Sequence, residues 1–137
     1  MKRLPVLVLL MLTSGAVACD DENPISPTEI RNVTWKLESI ERPGSATITV
    51  PNPEQYTLRF ESDGSLSVRA DCNTCGGRYA LEGSSLSVGD VACTLIACAV
   101  PGLDTTFTSV LRNVRSATVS EGRLVITGTD FTLRLRN

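Results

Sequence analysis

The sequence contains no histidine in its 137 residues. Histidine is the commonest general base and the commonest metal ligand at neutral pH. Its absence excludes Ser–His and Cys–His nucleophilic sites, as well as zinc sites that combine cysteine with histidine. The aspartates offer no substitute, because they lie at or near predicted turns or helix starts, where aspartate has a conformational role. We therefore expect no enzymatic activity, no catalytic residue, no cofactor and no bound metal.

Basic residues are also in short supply. The whole chain has 13 basic and 15 acidic residues, and 11 basic residues remain when Lys2 and Arg3 are left out. The remainder then carries a net charge of −4. Such a domain has no electrostatic basis for binding nucleic acid or anionic lipid. We expect no nucleic-acid partner.

The N-terminal apolar run is too short to cross a bilayer, which takes about 20 residues in a helix. It extends from Leu4 to Leu12, follows two basic residues and leads to small residues that end at Ala18. This order of charged, apolar and small residues is typical of a secretory signal peptide, here residues 1–18. The alternative, an uncleaved transmembrane anchor, is disfavoured by the length of the run.

Cys19 follows Ala16-Val17-Ala18, and these four residues resemble a bacterial lipobox in which Ala16 replaces the more usual leucine. The resemblance implies cleavage before Cys19, a diacylglycerol on its sulfur and often a further acyl chain such as palmitate. Two or more acyl chains hold a protein stably on a membrane. The alternative is a secreted protein with a free thiol.

Residues 19–32 contain an acidic run and two prolines, so we predict a tether that cannot pack into a core. The acidic residues beside Cys19 resemble sorting signals for inner-membrane retention and for surface export. The predicted location is therefore extracytoplasmic and membrane-anchored, at the periplasmic face or the cell surface.

From Val33 onward, apolar and polar residues alternate over short segments such as Tyr56–Phe60. Alternation of this kind is typical of antiparallel strands that have one face toward the core and one toward water. Asp63-Gly64 and Glu121-Gly122 are turn signals between consecutive segments. The pattern predicts a mainly β domain over residues 33–137, with an antiparallel, barrel-like curved sheet of about seven or eight strands.

One segment departs from this alternation. Its apolar residues recur at the spacing of one helical face, and they are Leu103, Phe107, Val110, Leu111 and Val114. Asp104 falls in the first turn, where a carboxylate is favourable to the helix dipole. We predict one α-helix that covers the open end or a face of the sheet.

Four of the five cysteines form two closely spaced pairs. Cys72 and Cys75 make a C-x₂-C pattern, and Cys93 and Cys98 make a C-x₄-C pattern. Four thiolates could hold a structural zinc, but thiols in an oxidising compartment become disulfides. We therefore favour two disulfides over zinc. A thioredoxin-like redox motif is disfavoured, because no βαβ pattern surrounds the C-x₂-C pair.

The short sequence motifs around these cysteines resemble the central motif of the META-domain family of HslJ-like bacterial lipoproteins. The matching residues are a cysteine–asparagine pair, two glycines, a tyrosine and a threonine-x-x-alanine-cysteine word: Cys72, Asn73, Gly76, Gly77, Tyr79, Thr94, Ala97 and Cys98. A tryptophan strand before the motif, and the helix and the last two strands after it, also match the order of elements in the family. The resemblance therefore covers residues 33–137.

The resemblance implies an antiparallel β-barrel-like fold and a disulfide between Cys72 and Cys98. Cys75 and Cys93 are additions to the family pattern and would then pair with each other. The family often has Ser-Gly where this chain has Ala70-Asp71, so the geometry of that turn does not follow from the resemblance. We interpret Gly76-Gly77 as a tight turn between strands.

Members of the family are linked to heat response and have no defined molecular activity. The resemblance thus implies a non-enzymatic envelope lipoprotein, whose domain is an interaction or stress-response module for an unknown envelope protein. The fold also resembles pilot lipoproteins of secretion systems, which hold lipid tails in a cracked barrel. The alternative is therefore a carrier of a small hydrophobic ligand or lipid, because an eight-stranded barrel can be filled or can hold a ligand.

Overall fold

Eight antiparallel strands close into a barrel in the computed structural model, which describes residues 27–98 and 102–137. These residues form ten strands: β1 (Thr34–Glu41), β2 (Ile48–Thr49), β3 (Tyr56–Phe60), β4 (Ser65–Ala70), β5 (Asn73–Glu82), β6 (Ser85–Val88), β7 (Ala92–Cys93), β8 (Val114–Ser120), β9 (Arg123–Gly128) and β10 (Thr132–Arg136). The order around the barrel is β1-β3-β4-β5-β6-β8-β9-β10, and β10 pairs with β1. The short strands β2 and β7 pair with β1 and β5. The predicted fold class is confirmed.

The described residues also form two short α-helices, α1 (Pro27–Ile30) and α2 (Asp104–Leu111), and a 3₁₀ turn at Pro53–Gln55. The helix α2 is the one predicted from the apolar stripe, and its Phe107, Val110 and Leu111 are buried. It ends earlier than the stripe suggests, because Val114 opens β8 instead. None of the helices in residues 27–98 and 102–137 has the length and apolar character that crossing a membrane requires.

Tight turns place consecutive strands side by side, as predicted. The β3–β4 turn contains Gly64, with φ of 83°. The side-chain hydroxyl and the backbone N–H of Ser65 both donate to Asp63 Oδ1, and these bonds lower the pKa of that carboxyl. In the β8–β9 turn, Glu121 and Gly122 have φ of 51° and 73°, the combination that a type I′ turn requires.

Apolar side chains fill the interior of the barrel. Inward positions of β3 and β10 are buried and alternate with more exposed polar positions, which is the predicted pattern. The largest fully buried side chains come from the strands and from both helices: Trp35, Phe60, Phe107, Ile30, Leu37, Ile40, Leu58, Leu66, Leu86, Leu111, Leu124 and Ile126. An eight-stranded barrel is just wide enough for side chains of this kind to fill it.

Different elements close the two ends of the barrel. Ile30 of α1 lies near the end of β3, where the backbone N–H of Asn32 donates to the Phe60 carbonyl oxygen at 2.8 Å. The indole Nε1 of Trp35 donates to the Ile30 carbonyl oxygen at 3.0 Å. At the opposite end of β3, Tyr56 packs edge-on against Phe107 of α2. The N-terminal segment and α2 therefore lie at opposite ends of the barrel.

The folded domain begins earlier than the sequence boundary at Val33. Ile30 is fully buried and belongs to the hydrophobic core. The tether predicted for residues 19–32 is therefore too long at its C-terminal end, because Ile30 contributes to closing the barrel. The predicted signal peptide at residues 1–18 and the predicted lipidation site at Cys19 lie outside the described residues.

Candidate functional site

Two disulfides fasten the segment Cys93–Cys98, here called the stapled loop, to the start of β5. Cys72 bonds to Cys98 with Cα atoms 5.7 Å apart, and Cys75 bonds to Cys93 with Cα atoms 4.0 Å apart. These are the two pairs that the family resemblance implies, and the prediction of disulfide bonds is confirmed. The alternative zinc site would need the same four sulfurs as free thiolates, whereas here they are bonded in two disulfides.

Asn73 ties the middle of the stapled loop to the barrel. Its Oδ1 accepts from the backbone N–H of Ile96 at 2.8 Å and from the Thr94 hydroxyl at 2.9 Å, while its Nδ2 donates to the Ile96 carbonyl oxygen at 3.1 Å. Thr94 Oγ1 in turn accepts from the backbone N–H of Thr74 at 3.1 Å. Asn73 is 6% exposed, and a buried amide of this kind is favourable only when it is hydrogen-bonded. The motif residues Asn73 and Thr94 therefore form one network.

The turn between β4 and β5 has Asp71 where the family pattern often has glycine. Ala70 pairs with Asn73, so Asp71 and Cys72 are the two turn residues. Asp71 has φ of 60°, a left-handed conformation in which glycine is unstrained and which aspartate tolerates better than most residues. Asp71 thus occupies a position where the glycine of the family pattern would be favourable.

The interpretation of Gly76-Gly77 as a turn is wrong, because both residues lie inside β5. A Cβ atom on Gly77 would lie 3.0 Å from the Asp90 carbonyl oxygen and 3.3 Å from the Val91 side chain. Gly77 therefore allows the segment before β7 to pass close against β5. A Cβ on Gly76 would meet nothing closer than 4.0 Å, so no close contact requires glycine there.

Tyr79 lies further along β5, away from the stapled loop. Its hydroxyl accepts from Arg31 Nε at 2.9 Å and donates to the Glu61 carbonyl oxygen at 2.8 Å. Its ring packs edge-on against Phe60 at a centroid distance of 4.9 Å. The motif residues therefore have two separate structural roles. Tyr79 fixes the N-terminal segment, and Asn73 and Thr94 fix the stapled loop.

The stapled loop presents two large apolar side chains to solvent. Leu95 is 98% exposed and Ile96 is 57% exposed. Neither residue was predicted to be exposed from the sequence. The available signal was their position between Cys93 and Cys98, whose disulfides fasten both ends of this short segment to the start of β5.

Two open grooves flank the stapled loop, and the core residues Ala70 and Cys75 line the first of them. One has a volume of about 360 Å³ and runs between the loop and α2, with Ala97, Asp104 and Thr108 among its lining residues. The other, of about 670 Å³, lies beside the Cys72–Cys98 bridge. No group of three or more metal-ligating side chains comes together in the described part of the chain.

Comparisons with known proteins agree with this architecture. Three solved structures have the same fold: an NMR structure of a protein from Burkholderia xenovorans (23% identity, TM-score 0.67, 94% of this chain and 97% of that one), a second NMR structure (22%, 0.60, 82% and 94%), and the crystal structure of a DUF4847-family protein from Bacteroides vulgatus (10%, 0.61, 78% and 93%). No curated protein matches the chain.

A family model described as the META domain matches residues 28–136. The match starts within α1 and ends at the last residue of β10, so it includes Ile30, both disulfides and every strand of the barrel. The chain belongs to the META-domain family.

Proposed function

We propose that this chain is a non-enzymatic lipoprotein of the cell envelope, and that it binds a partner protein through the stapled loop. A role in the stress response of the envelope is part of the same proposal. The observation that carries it is the exposure of Leu95 and Ile96 on a firmly held loop. Burial of a leucine or isoleucine side chain is favourable by about 1.5–3 kcal/mol, and the free domain forgoes this gain at both positions.

The loop is held in place before any partner arrives. Two disulfides fix its ends, and the Asn73 amide fixes the backbone of Ile96 on both its N–H and its carbonyl side. A rigid contact surface loses little conformational entropy on binding, so more of the contact energy appears as affinity. Apolar anchors of this kind dominate the energetics of many protein interfaces.

The position of the loop suits a membrane-anchored protein. Disulfides persist in oxidising, extracytoplasmic compartments, which agrees with the signal peptide and the lipobox-like word before Cys19. The helix α1 lies at the end of the barrel near Phe60, whereas the stapled loop lies at the end where β4 meets β5. An anchored domain would thus present Leu95 away from its point of attachment.

The carrier alternative has less support from the interior. Large apolar side chains from the strands and both helices occupy the space within the barrel, and the two grooves beside the stapled loop are open to solvent. The lack of histidine and the dispersed carboxylates support a binding role rather than a catalytic one.

Cys19→Ala is expected to abolish membrane anchoring. The wild-type protein extracted from membranes should begin at Cys19 and carry acyl chains, and the variant should appear without acyl chains in the soluble envelope fraction. Intact mass measurement and fractionation test both points. An unmodified wild-type mass that starts at Met1 would contradict the lipoprotein proposal.

A photoreactive amino acid at position 95 is expected to cross-link to one partner protein in intact cells. Ile96→Asp in the same chain should reduce this cross-link about tenfold or more, because burial of an apolar anchor contributes about 1.5–3 kcal/mol. The fold should be unaffected, since exposed positions change stability by only about 0.5 kcal/mol.

The matched control carries the photoreactive residue at Glu121, which is also exposed and lies in the β8–β9 turn. Equal cross-linking from positions 95 and 121 would contradict the proposal, as would cross-linking to lipid alone. An Ile96→Asp chain that still cross-links at full yield would also rule out an apolar anchor.

A further inference from the structure

We propose that the Cys72–Cys98 bridge is a thiol–disulfide exchange site at which an external thiolate attacks Cys72 and the Cys98 sulfur leaves. The Cys75–Cys93 bridge remains closed in this exchange. The inference stands apart from the proposed function, because it concerns the chemistry of the bridge whether or not the stapled loop binds a partner.

The two bridges differ in how far they are open to solvent. Cys72 is exposed in the β4–β5 turn, and Cys98 is half-buried at the end of the stapled loop. Cys75 is only 8% exposed and belongs to the core, and Cys93 is half-buried and packs against that core. Exchange requires an incoming thiolate to reach one sulfur of the bond. The outer bridge offers such a sulfur at Cys72, whereas the core shields Cys75.

Hydrogen-bond donors are gathered around the sulfur that would leave. The backbone N–H of Cys72 lies 3.3 Å from Cys98 Sγ, and Asn73 Nδ2 lies 3.6 Å from the same atom. Asn73 Nδ2 is further from Cys72 Sγ, at 4.0 Å. Donors stabilise a thiolate, and a stabilised thiolate is the better leaving group in exchange. The geometry therefore selects Cys98 as the leaving sulfur.

The network that holds the loop also orients these donors. Thr94 and the backbone N–H of Ile96 both donate to Asn73 Oδ1, which directs the Nδ2 group toward the bridge. The Ile96 carbonyl oxygen lies 3.7 Å from Cys72 Sγ and 3.9 Å from Cys98 Sγ. It can accept a hydrogen bond from a thiol at either position, so the donors around Cys98 Sγ, and not this carbonyl, distinguish the two sulfurs.

The exchange consumes one dithiol reductant for each bridge. Its first thiolate forms a bond to Cys72 Sγ, the Cys72–Cys98 bond breaks, and the electron pair passes to Cys98 Sγ. The second thiolate of the reductant then attacks the reductant's first sulfur in the mixed disulfide. This step releases the Cys72 sulfur, which takes up a proton. The reductant is oxidised to a disulfide, and the bridge is reduced by two electrons.

The test uses the full chain, purified in mild detergent, and reduced glutathione as the probe. Short exposures are quenched with N-ethylmaleimide, and the labels are located by peptide mapping with Cys19 scored separately. We expect glutathione on Cys72 and maleimide on Cys98, while Cys75–Cys93 opens at least about tenfold more slowly. Glutathione on Cys98, or bridges that open at equal rates, would overturn the proposal.

Asn73→Asp separates an electronic role of the amide from a structural one. A carboxylate beside Cys98 Sγ should disfavour the leaving thiolate and slow exchange about tenfold, whereas a loosened loop would make the bridge open faster. Asn32→Asp introduces the same charge at an exposed site far from the bridge, and its exchange rate should equal that of the wild type. Unchanged or faster exchange in Asn73→Asp would overturn the assignment of Cys98 as the leaving sulfur. If that variant does not fold, the peptide map of the wild-type protein tests the assignment instead.

Discussion

Phe107→Ala is expected to destabilise the domain by about 3–5 kcal/mol, the usual cost of removing a fully buried phenylalanine ring. Phe107 is 0% exposed and is the largest side chain of the helix that covers one end of the barrel. Its ring meets Tyr56 edge-on, with centroids 6.1 Å apart and planes at 79°. Such aromatic contacts add about 0.5–1.5 kcal/mol beyond burial.

The loss should extend to the position of the helix itself. The backbone N–H of Leu103 donates to the Tyr56 hydroxyl at 3.0 Å, so the ring of Tyr56 both supports Phe107 and fixes the residue before α2. When the phenylalanine ring is removed, Tyr56 loses the surface that holds it, and the start of α2 loses a fixed acceptor. We expect the cavity to remain, because the strands around it are joined in a closed barrel.

Urea unfolding followed by circular dichroism measures this effect. Ser109→Ala is the matched control, since Ser109 is exposed on the same helix and its replacement should change the free energy of unfolding by about 0.5 kcal/mol or less. A loss below about 1 kcal/mol in Phe107→Ala would show that α2 does not pack as described, because so small a loss excludes a fully buried ring.

Local patterns were sufficient to predict most of the strands, the helix and the turns at Gly64 and Gly122. The residues of β3 alternate because one face meets the core, and the stripe of α2 repeats because one side of the helix does. Gly64 and Gly122 mark turns because their backbones require positive φ. These features depend on neighbours within a few residues, so the sequence alone carries the signal.

Long-range contacts explain most of what the sequence did not reveal. Ile30 belongs to the core only because α1 closes the barrel near Phe60, which lies 30 positions along the chain. The segment at Asp90 passes close against Gly77, and nothing beside the glycine pair indicates that contact. The pairing of β1 with β10 likewise joins the two ends of the domain.

The candidate site was predicted in part. The cysteines were identified from their spacing and Asn73 from the family motif, but the exposed pair of Leu95 and Ile96 was not identified, because apolar residues are normally assigned to a core. Only the geometry of the two bridges shows that this segment is held outside. Since side-chain exposure is a tertiary property, residue type alone gave no indication of it.

Replacing all four cysteines of the bridges is expected to cost about 6 kcal/mol, which is comparable to the whole stability of about 5–15 kcal/mol that small domains have. The inner bridge closes a loop with a sequence separation of 18, and the loop-entropy model gives it about 3 kcal/mol. Once it is present, the outer bridge closes only a further loop of about ten residues, for which the model gives about 2.5 kcal/mol.

Because the two bridges are nested, removing the first bridge should cost less stability than removing the second. Either Cys72→Ser/Cys98→Ser or Cys75→Ala/Cys93→Ala alone should cost about 2.5 kcal/mol and leave a cooperative domain, because the remaining bridge still restricts the unfolded chain. The second loss should then exceed the first, and the chain with all four replacements should lose cooperative unfolding at room temperature. Urea unfolding of the three variants measures this. A fourfold variant that unfolds cooperatively with a loss below about 2 kcal/mol would show that the bridges act on native geometry rather than on the unfolded chain, because loop closure alone requires the larger value.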